Sequence, residues 1–442
     1  MNLQRLLSAA TLLTLLAACT QPQATESPTR WVDPRIGTGG HGHVFVGANV
    51  PFGLVQVGPT SIPQEWDWCS GYHISDSTVI GFSHTHLSGT GIGDLFDVTV
   101  MPVVGEVVCA RGTEEDPASG LWSHADRSKE VVRPGYYAVP LVRYGIKAEM
   151  TATSRVGLHR YTFPASTEAA VVFDLENGGC WDKATETGFR FSEDSTRIWG
   201  WRYSTGWAKD QKVYFAAEFS KPAKAIGYLQ PGELVDSKMP LVDARYARVD
   251  FDTAEGEQLL VKVALSPVSI EGAEANLAAE LPGWDFDTVA AAATAAWDRE
   301  LSKVRITTSD ETARRIFYTA LYHTMVAPSE FCDADGTYRG ADGQVHENPG
   351  YKTHTTFSLW DTYRAAMPLM TILHPERMPD IINTMLAIAD EQGRLPVWHL
   401  WGNETDCMVG NPGIPVVADA IVKGIGGFDR ERAFEAIRRT AM

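Results

Sequence analysis

The sequence has 442 residues, a formal net charge of -17, 44% hydrophobic and 21% charged residues. That length exceeds one ordinary core and predicts two domains, and the composition excludes a disordered chain. The acidic surplus would repel phosphates, which excludes nucleic acid and favours a neutral ligand or a cation.

The first stretch, MNLQRLLSAATLLTLLAACT, reads as a processing signal. Arg5 supplies a positive start, Leu6 to Ala18 is an apolar segment too short for a permanent span, and small residues precede Cys19. Leu16-Ala17-Ala18-Cys19 resembles the bacterial lipobox, which implies cleavage before Cys19 and lipid on its sulfur; plain secretion is the alternative. Residues 1–19 are therefore assigned to the signal and 20–30, polar and Pro-containing, to a tether. The expected location is the bacterial cell envelope, with the membrane touched only through the lipid. Cys69, Cys109, Cys180, Cys332 and Cys407 remain, an odd set without a CxxC pair, so at least one thiol stays free and no zinc cage is suggested.

From Trp31 to Pro267 the pattern is β. Asp97 to Val108, Tyr136 to Thr153, VGLHRYTF, AAVVFDL, RIWGWRYS, KVYFAAEFS and QLLVKVAL recur at short intervals with Gly, Pro, Asn or Asp between them. Strands without intervening helices predict an antiparallel β-sandwich over 31–268. Ile270 to Leu281 and Thr288 to Val304 are Ala-rich and predict a helical linker over 269–304. Thr308-Ser309-Asp310-Glu311 has capping-box spacing before a helix, and further helices are predicted at Leu359 to Leu373, Pro379 to Glu391, Ile414 to Ile425 and from Asp429 onward. Helices in tandem pairs leave an apolar face that needs more partners, so a longer protein is expected to continue past Met442.

Trp398, Trp401, Asn403, Glu404 and Asp406 lie together on a Gly/Pro-punctuated loop. Indoles cover sugar C–H faces while acids and an amide take hydroxyls, which predicts a carbohydrate pocket here; Glu404 is either a binding acid or a solvated loop acid. Glu65-Trp66-Asp67-Trp68-Cys69 sets two indoles beside two acids, as an aromatic anchor or as a wall of that pocket. Ile36 to His43 is glycine-rich but lacks the Lys-Ser/Thr of a phosphate loop, and a tight turn presenting backbone to a ligand is expected. His41/His43 and His84/His86 form two H-x-H pairs that could meet around zinc. The simpler reading is hydrogen bonding in a packed Gly-rich region, because no third ligand type stands at a telling spacing. Asp94 and Asp97 are candidate calcium ligands without an EF-type run, and Asp361 and Arg364 are placed for an ion pair on one helical face.

GTGGHGH, VPFGLVQVGP, WCSGYHISDSTVIGFSHTHLSGTG, RPGYYAV, TATSRVGLHRYTFP, FSLWDTYRAAMPL, GRLPVWHLWGNETDCMVG and DAIVKGI together resemble glycoside hydrolase family 92, the exo-acting α-mannosidases, from Trp31 to Met442. The resemblance implies an N-terminal β-sandwich on an (α/α)6 barrel, of which 305–442 would be the first, incomplete part, with the site at their interface. It also implies Ca2+-dependent hydrolysis of mannose-containing glycans with inversion, by two carboxylates roughly 6.5–9.5 Å apart. Trp66, Cys69, Trp360 and Asp361 match positions lining the family's terminal-mannose subsite. The family's acid, base and calcium ligands lie in later motifs (E-G-x-x-W-Q, G-N-D-D and G-N-E-P-S) that are absent here, so they are expected beyond Met442 and this chain alone is expected to be inactive. Gly402-Asn403-Glu404-Thr405 belongs to a different family motif, which argues against Glu404 as the acid. The alternative function is a non-catalytic glycan-binding surface lipoprotein, and a third is a zinc hydrolase built on the H-x-H pairs.

Overall fold

The structure, a computed structural model, describes residues 26–442 apart from residues 107, 117, 231, 232 and 236–240. The signal segment, Cys19 and residues 20–25 of the tether lie outside the described residues. A β-rich region is followed by a helical one, as the patterning predicts. A seven-stranded antiparallel sheet runs in the order Gly58–Thr60, Gly81–Ser83, Thr99–Val104, Ser166–Asp174, Tyr246–Thr253, Ala225–Gln230, Glu233–Val235. A nine-stranded one runs Leu241–Val242, Lys183–Phe191, Arg197–Thr205, Gln211–Phe219, Glu257–Ser266, Val156–Phe163, Ile146–Ala152, Tyr136–Leu141, Val131–Arg133. Apolar side chains of both sheets form one core, in which Phe173 and Phe215 stack at 5.8 Å.

The run from Tyr136 to Thr153 is a hairpin, turned at Gly145 in the left-handed region (φ +65). The strand expected over Asp97 to Val108 shortens to Thr99–Val104, because Leu95, Phe96 and Val98 all take positive φ. Hydrogen bonds hold this strained stretch: Phe96 N donates to Thr85 O, and Asp97 N to Thr85 Oγ1. Asp97 is not a calcium ligand in waiting. Its carboxylate takes Arg202 Nη1 at 2.8 Å, Gln211 Nε2 at 2.6 Å and the Thr85 hydroxyl, while the other side of the buried Arg202 guanidinium pairs with Asp182. Asp94 accepts from Ala208 N and from its own neighbour Leu95 N. The cation balancing Asp97 and Asp182 is thus the Arg202 side chain.

The linker helices, Ile270–Glu280 and Phe286–Leu301, press Leu277, Phe286 and Ala290 onto the outer face of the larger sheet. The next helix, Glu311–His323, is capped by Asp310, which accepts from Thr312 N and Ala313 N, so the capping box expected at Thr308 does not form. The helix predicted from Leu359 to Leu373 is broken into Leu359–Thr362 and Ala366–Leu373. Pro368 has no N–H and its ring would collide with the Arg364 carbonyl, so one continuous helix cannot pass through both. Arg364 accordingly lies over the Tyr363 ring at 5.1 Å and does not pair with Asp361. Met378–Gln392 ends on Gly393 at φ +94, and Gly413–Val422 and Arg430–Ala441 complete the described helices. Among the described residues no helix is long and apolar enough to cross a membrane, and the five cysteines are all free.

The two regions are locked by a loop of the sandwich that enters the helical core. Phe45 and Phe52 belong to the same cluster as Trp297, Tyr322 and Met385. Phe52 N donates to Met325 O and Gln56 Nε2 to Val326 O, while Trp297 Nε1 donates to Asn49 O. Arg155 adds a clamp, reaching Glu280 of the linker at 2.6 Å, and Glu330 (3.4 Å) and the Cys332 carbonyl (2.6 Å) beyond it.

Candidate functional site at the junction of the two regions

The wall contributed by the sandwich begins at a single 3-10 turn, Trp66–Trp68. Trp66 is 49% exposed and donates through Nε1 to Gly91 O at 2.8 Å. Its ring lies so close to the backbone that a Cβ on Gly91 would sit 2.5 Å from it, so only glycine permits the contact. Cys69 is buried, its Sγ donating to Thr90 O at 3.4 Å, and burial pushes the thiol up to about 12, which keeps it protonated. Trp68 serves as an anchor: it stacks on His73 at 4.5 Å and donates to Asp76.

The wall contributed by the helical region is Phe357–Ser358 and the short helix that follows. Ser358 pairs with Trp398 in a small sheet, Thr356 before it is left-handed (φ +62), and Trp360 emerges 41% exposed. Burial pushes the Asp361 carboxyl up, against a hydrogen bond from Trp398 that pulls it down. Beside these walls lies a cleft of about 250 Å³, lined by Val44, Ser88, Gly89, His323, Ser358 and Thr362 among others, but not by Trp66, Cys69, Trp360 or Asp361. That is near the lower end of ligand pockets, roughly 300 Å³ upward, and suits a single small ring. Loop 88–91 joins the two observations. Its Thr90 and Gly91 hold Cys69 and Trp66, and its Ser88 and Gly89 line the cleft opposite Ser358 and Thr362.

His323 was not singled out by sequence because nothing around it signals a site. Burial lowers it to about 4, so its ring is neutral near pH 7, and its Nε2 has no protein partner.

The loop from Trp398 to Asp406 behaves otherwise than expected. Trp398 is buried against Trp207 at 4.4 Å, and Trp401 against Phe331 at 5.2 Å, so neither indole walls a pocket. Glu404 accepts from Val397 N at 2.8 Å and Trp398 N at 3.0 Å, which engages both carboxylate oxygens in holding the turn. Asn403 exchanges hydrogen bonds with the backbone of Asp210, and Asp406 pairs with Arg394 and Lys209. Asn403 and Asp406 thereby fasten the helical region to the sandwich, while Glu404 holds its own turn. Sequence proximity of indoles and acids suggested a pocket; the packing of both indoles into the core removes it.

The two H-x-H pairs do not meet. His84 Nε2 lies 2.9 Å from His159 Nε2 and His86 Nδ1 lies 2.8 Å from Gln56 O, inside the sandwich, where burial lowers them to about 4 and about 3. His41 and His43 turn instead to Asp67, at 2.6 and 3.3 Å. Among the described residues, two groups bring three possible ligand atoms within 4.8 Å: His41, His43 and Asp67, and Glu300, His374 and Glu376. Lys303 Nζ already stands in the second, 2.8 Å from Glu300, 2.6 Å from Glu376 and 3.0 Å from His374 Nδ1. Both groups contain imidazole, and neither is the oxygen-only set that Ca2+ takes.

Sequence models of the glycosyl hydrolase family 92 N-terminal domain and catalytic domain match residues 31–266 and 272–442. A family GH92 α-mannosidase of Bacteroides thetaiotaomicron, solved in complex with mannoimidazole, is similar with a TM-score of 0.91 and 40% identity, over 94% of this chain and 56% of that one. A second structure from that organism, described as a family GH92 inverting mannosidase, is 27% identical with a TM-score of 0.81, over 94% of this chain and 55% of that one. An uncharacterized secreted glycosidase of Arthroderma benhamiae is 25% identical over 93% of this chain and 52% of its own length. The chain thus spans about half the length of the relatives it matches. With models of both domains covering nearly all of the described residues, the chain belongs to glycosyl hydrolase family 92.

Proposed function

We propose that this protein acts as an exo-α-mannosidase, hydrolysing terminal α-mannosides of N-glycans or mannans with inversion at the anomeric carbon. The observation that carries the reading is the cleft between loop 88–91 and Ser358–Thr362, sized for one ring. Trp66 and Cys69 are hydrogen-bonded to that loop, and Trp360 and Asp361 stand on the short helix beside Ser358, next to the cleft and outside its lining. Those four side chains are proposed to bind the terminal mannose. Trp66 and Trp360 would offer apolar faces, Cys69 a neutral thiol, and Asp361 a hydroxyl acceptor. Family members described as α-mannosidases, one of them holding mannoimidazole, support mannose as the sugar.

In this reading the acid and base belong to family motifs not present among these residues, and the 442-residue chain binds mannose without cleaving its glycosides. Calcium dependence is part of the same proposal. The lipobox at Cys19 supports a lipid-anchored protein of the bacterial envelope. Release of mannose from a synthetic α-mannoside by the protein extended to its relatives' length, with and without a chelator, tests the activity. No release from that protein overturns the reading in favour of a non-catalytic glycan binder, and release by the 442 residues alone overturns the expected inactivity.

A further inference from the structure

We propose that His41, His43 and Asp67 form a binding site for a zinc-class divalent metal at the edge of the sandwich wall. His41 Nδ1 and His43 Nε2 converge on the same carboxylate oxygen, Asp67 Oδ1, at 2.6 and 3.3 Å, and the three ligand atoms fall within 4.8 Å of one another. Two imidazole nitrogens and one carboxylate oxygen form a donor set that zinc-class ions favour, with further positions left for water. Calcium and magnesium, which take oxygen donors, are disfavoured by the same set.

The fold shapes this cluster. Gly42 passes so close to Gly37 that a Cβ would overlap the Gly37 carbonyl oxygen, so the turn that brings both histidines round is open only to glycine. His43 itself holds a left-handed backbone (φ +54), pinned where its carbonyl accepts Gly89 N at 2.7 Å. Trp66 packs against both imidazoles, with ring centroids 5.2 Å from His41 and 4.3 Å from His43. The other three-ligand group differs in one decisive respect. There the Lys303 ammonium already supplies the cation, whereas among the described residues no Lys or Arg side chain pairs with Asp67.

The test uses the tag-free chain, stripped of metal and titrated with Zn2+, with Ca2+ as the contrasting arm. The expected result is one equivalent of Zn2+ by calorimetry and elemental analysis, and no Ca2+ uptake at this group. His41 is 74% exposed, so His41→Ala leaves the fold intact. His41→Ala and Asp67→Asn should each weaken Zn2+ binding by at least about 10-fold. Cu2+ or Ni2+ bound there should quench Trp66 emission, and Trp66→Phe should remove that share of the quenching. A protein that takes up no zinc, or that takes it up equally in His41→Ala and Asp67→Asn, overturns the site.

Discussion

Two stretches of this protein have nearly the same composition and opposite fates. Glu65 to Cys69 and Trp398 to Cys407 each set two tryptophans beside carboxylates. In the first, Trp66 lies half-exposed on a glycine backbone and Trp68 alone is an anchor. In the second, both indoles enter the core and the acids bind backbone amides or cations of the neighbouring region. The difference lies in what each stretch meets. Trp398 and Trp401 face Trp207 and Phe331, apolar surface that favours full burial, whereas Trp66 faces the thin edge of loop 88–91. Aromatic residues beside acids therefore mark either a ligand wall or an internal seam, and only their surroundings decide which.

The comparison breaks most readily at Trp398. Trp398→Ala should cost about 3–5 kcal/mol of stability, read by chemical denaturation, because it empties a filled core position. A loss below about 0.5 kcal/mol, the range of an exposed surface change, would show that the indole is not core. Glu404→Gln should cost about 1–3 kcal/mol, since the new amide group turns a donor toward a backbone N–H. Its sugar affinity should hold; lost binding with an unchanged melting curve would return Glu404 to the site.

On the other side of the comparison, Trp66→Ala and Trp360→Ala should each weaken mannose binding by about 1–3 kcal/mol. Their unfolding free energies should move by no more than about 0.5 kcal/mol. Asp361→Asn should likewise spare the fold and weaken binding, measured by calorimetry with the monosaccharide. Stability losses with unchanged binding would place these three side chains with Trp398.

A further effect is one of pH. Burial pushes the Glu300 carboxyl up, but hydrogen bonds from His374 and Lys303 outweigh it and hold the group at about 2. A folded pKa below the ordinary 4.5 stabilises the folded state fully above pH 4.5. That contribution is lost as pH falls from 4.5 toward 2, and Glu300→Gln should flatten this part of the stability–pH curve.

Much of the fold is legible in the chain. Alternation in Arg197–Thr205 buries Ile198, Gly200, Arg202 and Ser204 on one face, and period two carries that information locally. Gly393 at the end of Met378–Gln392 and Asp429 at the start of Arg430–Ala441 mark helix termini by conformational and hydrogen-bonding preferences that need no tertiary contact. The break over 363–365 was equally written in the sequence, since Pro368 disfavours a helix that runs through the carbonyl of Arg364, four residues before it.

The sites were legible only as residue types. His41 and His43 stand 24 or more residues from Asp67, and no local spacing joins them. The cleft exists because Phe45 and Phe52, residues of the sandwich, are buried in the helical core and bring loop 88–91 opposite Ser358. By itself the sequence determined the strands, the helices and their ends, because backbone propensity and hydrophobic period act over a few residues. Which indole faces a ligand and which fills a seam was decided only in the tertiary structure, because burial depends on surfaces brought together from distant parts of the chain.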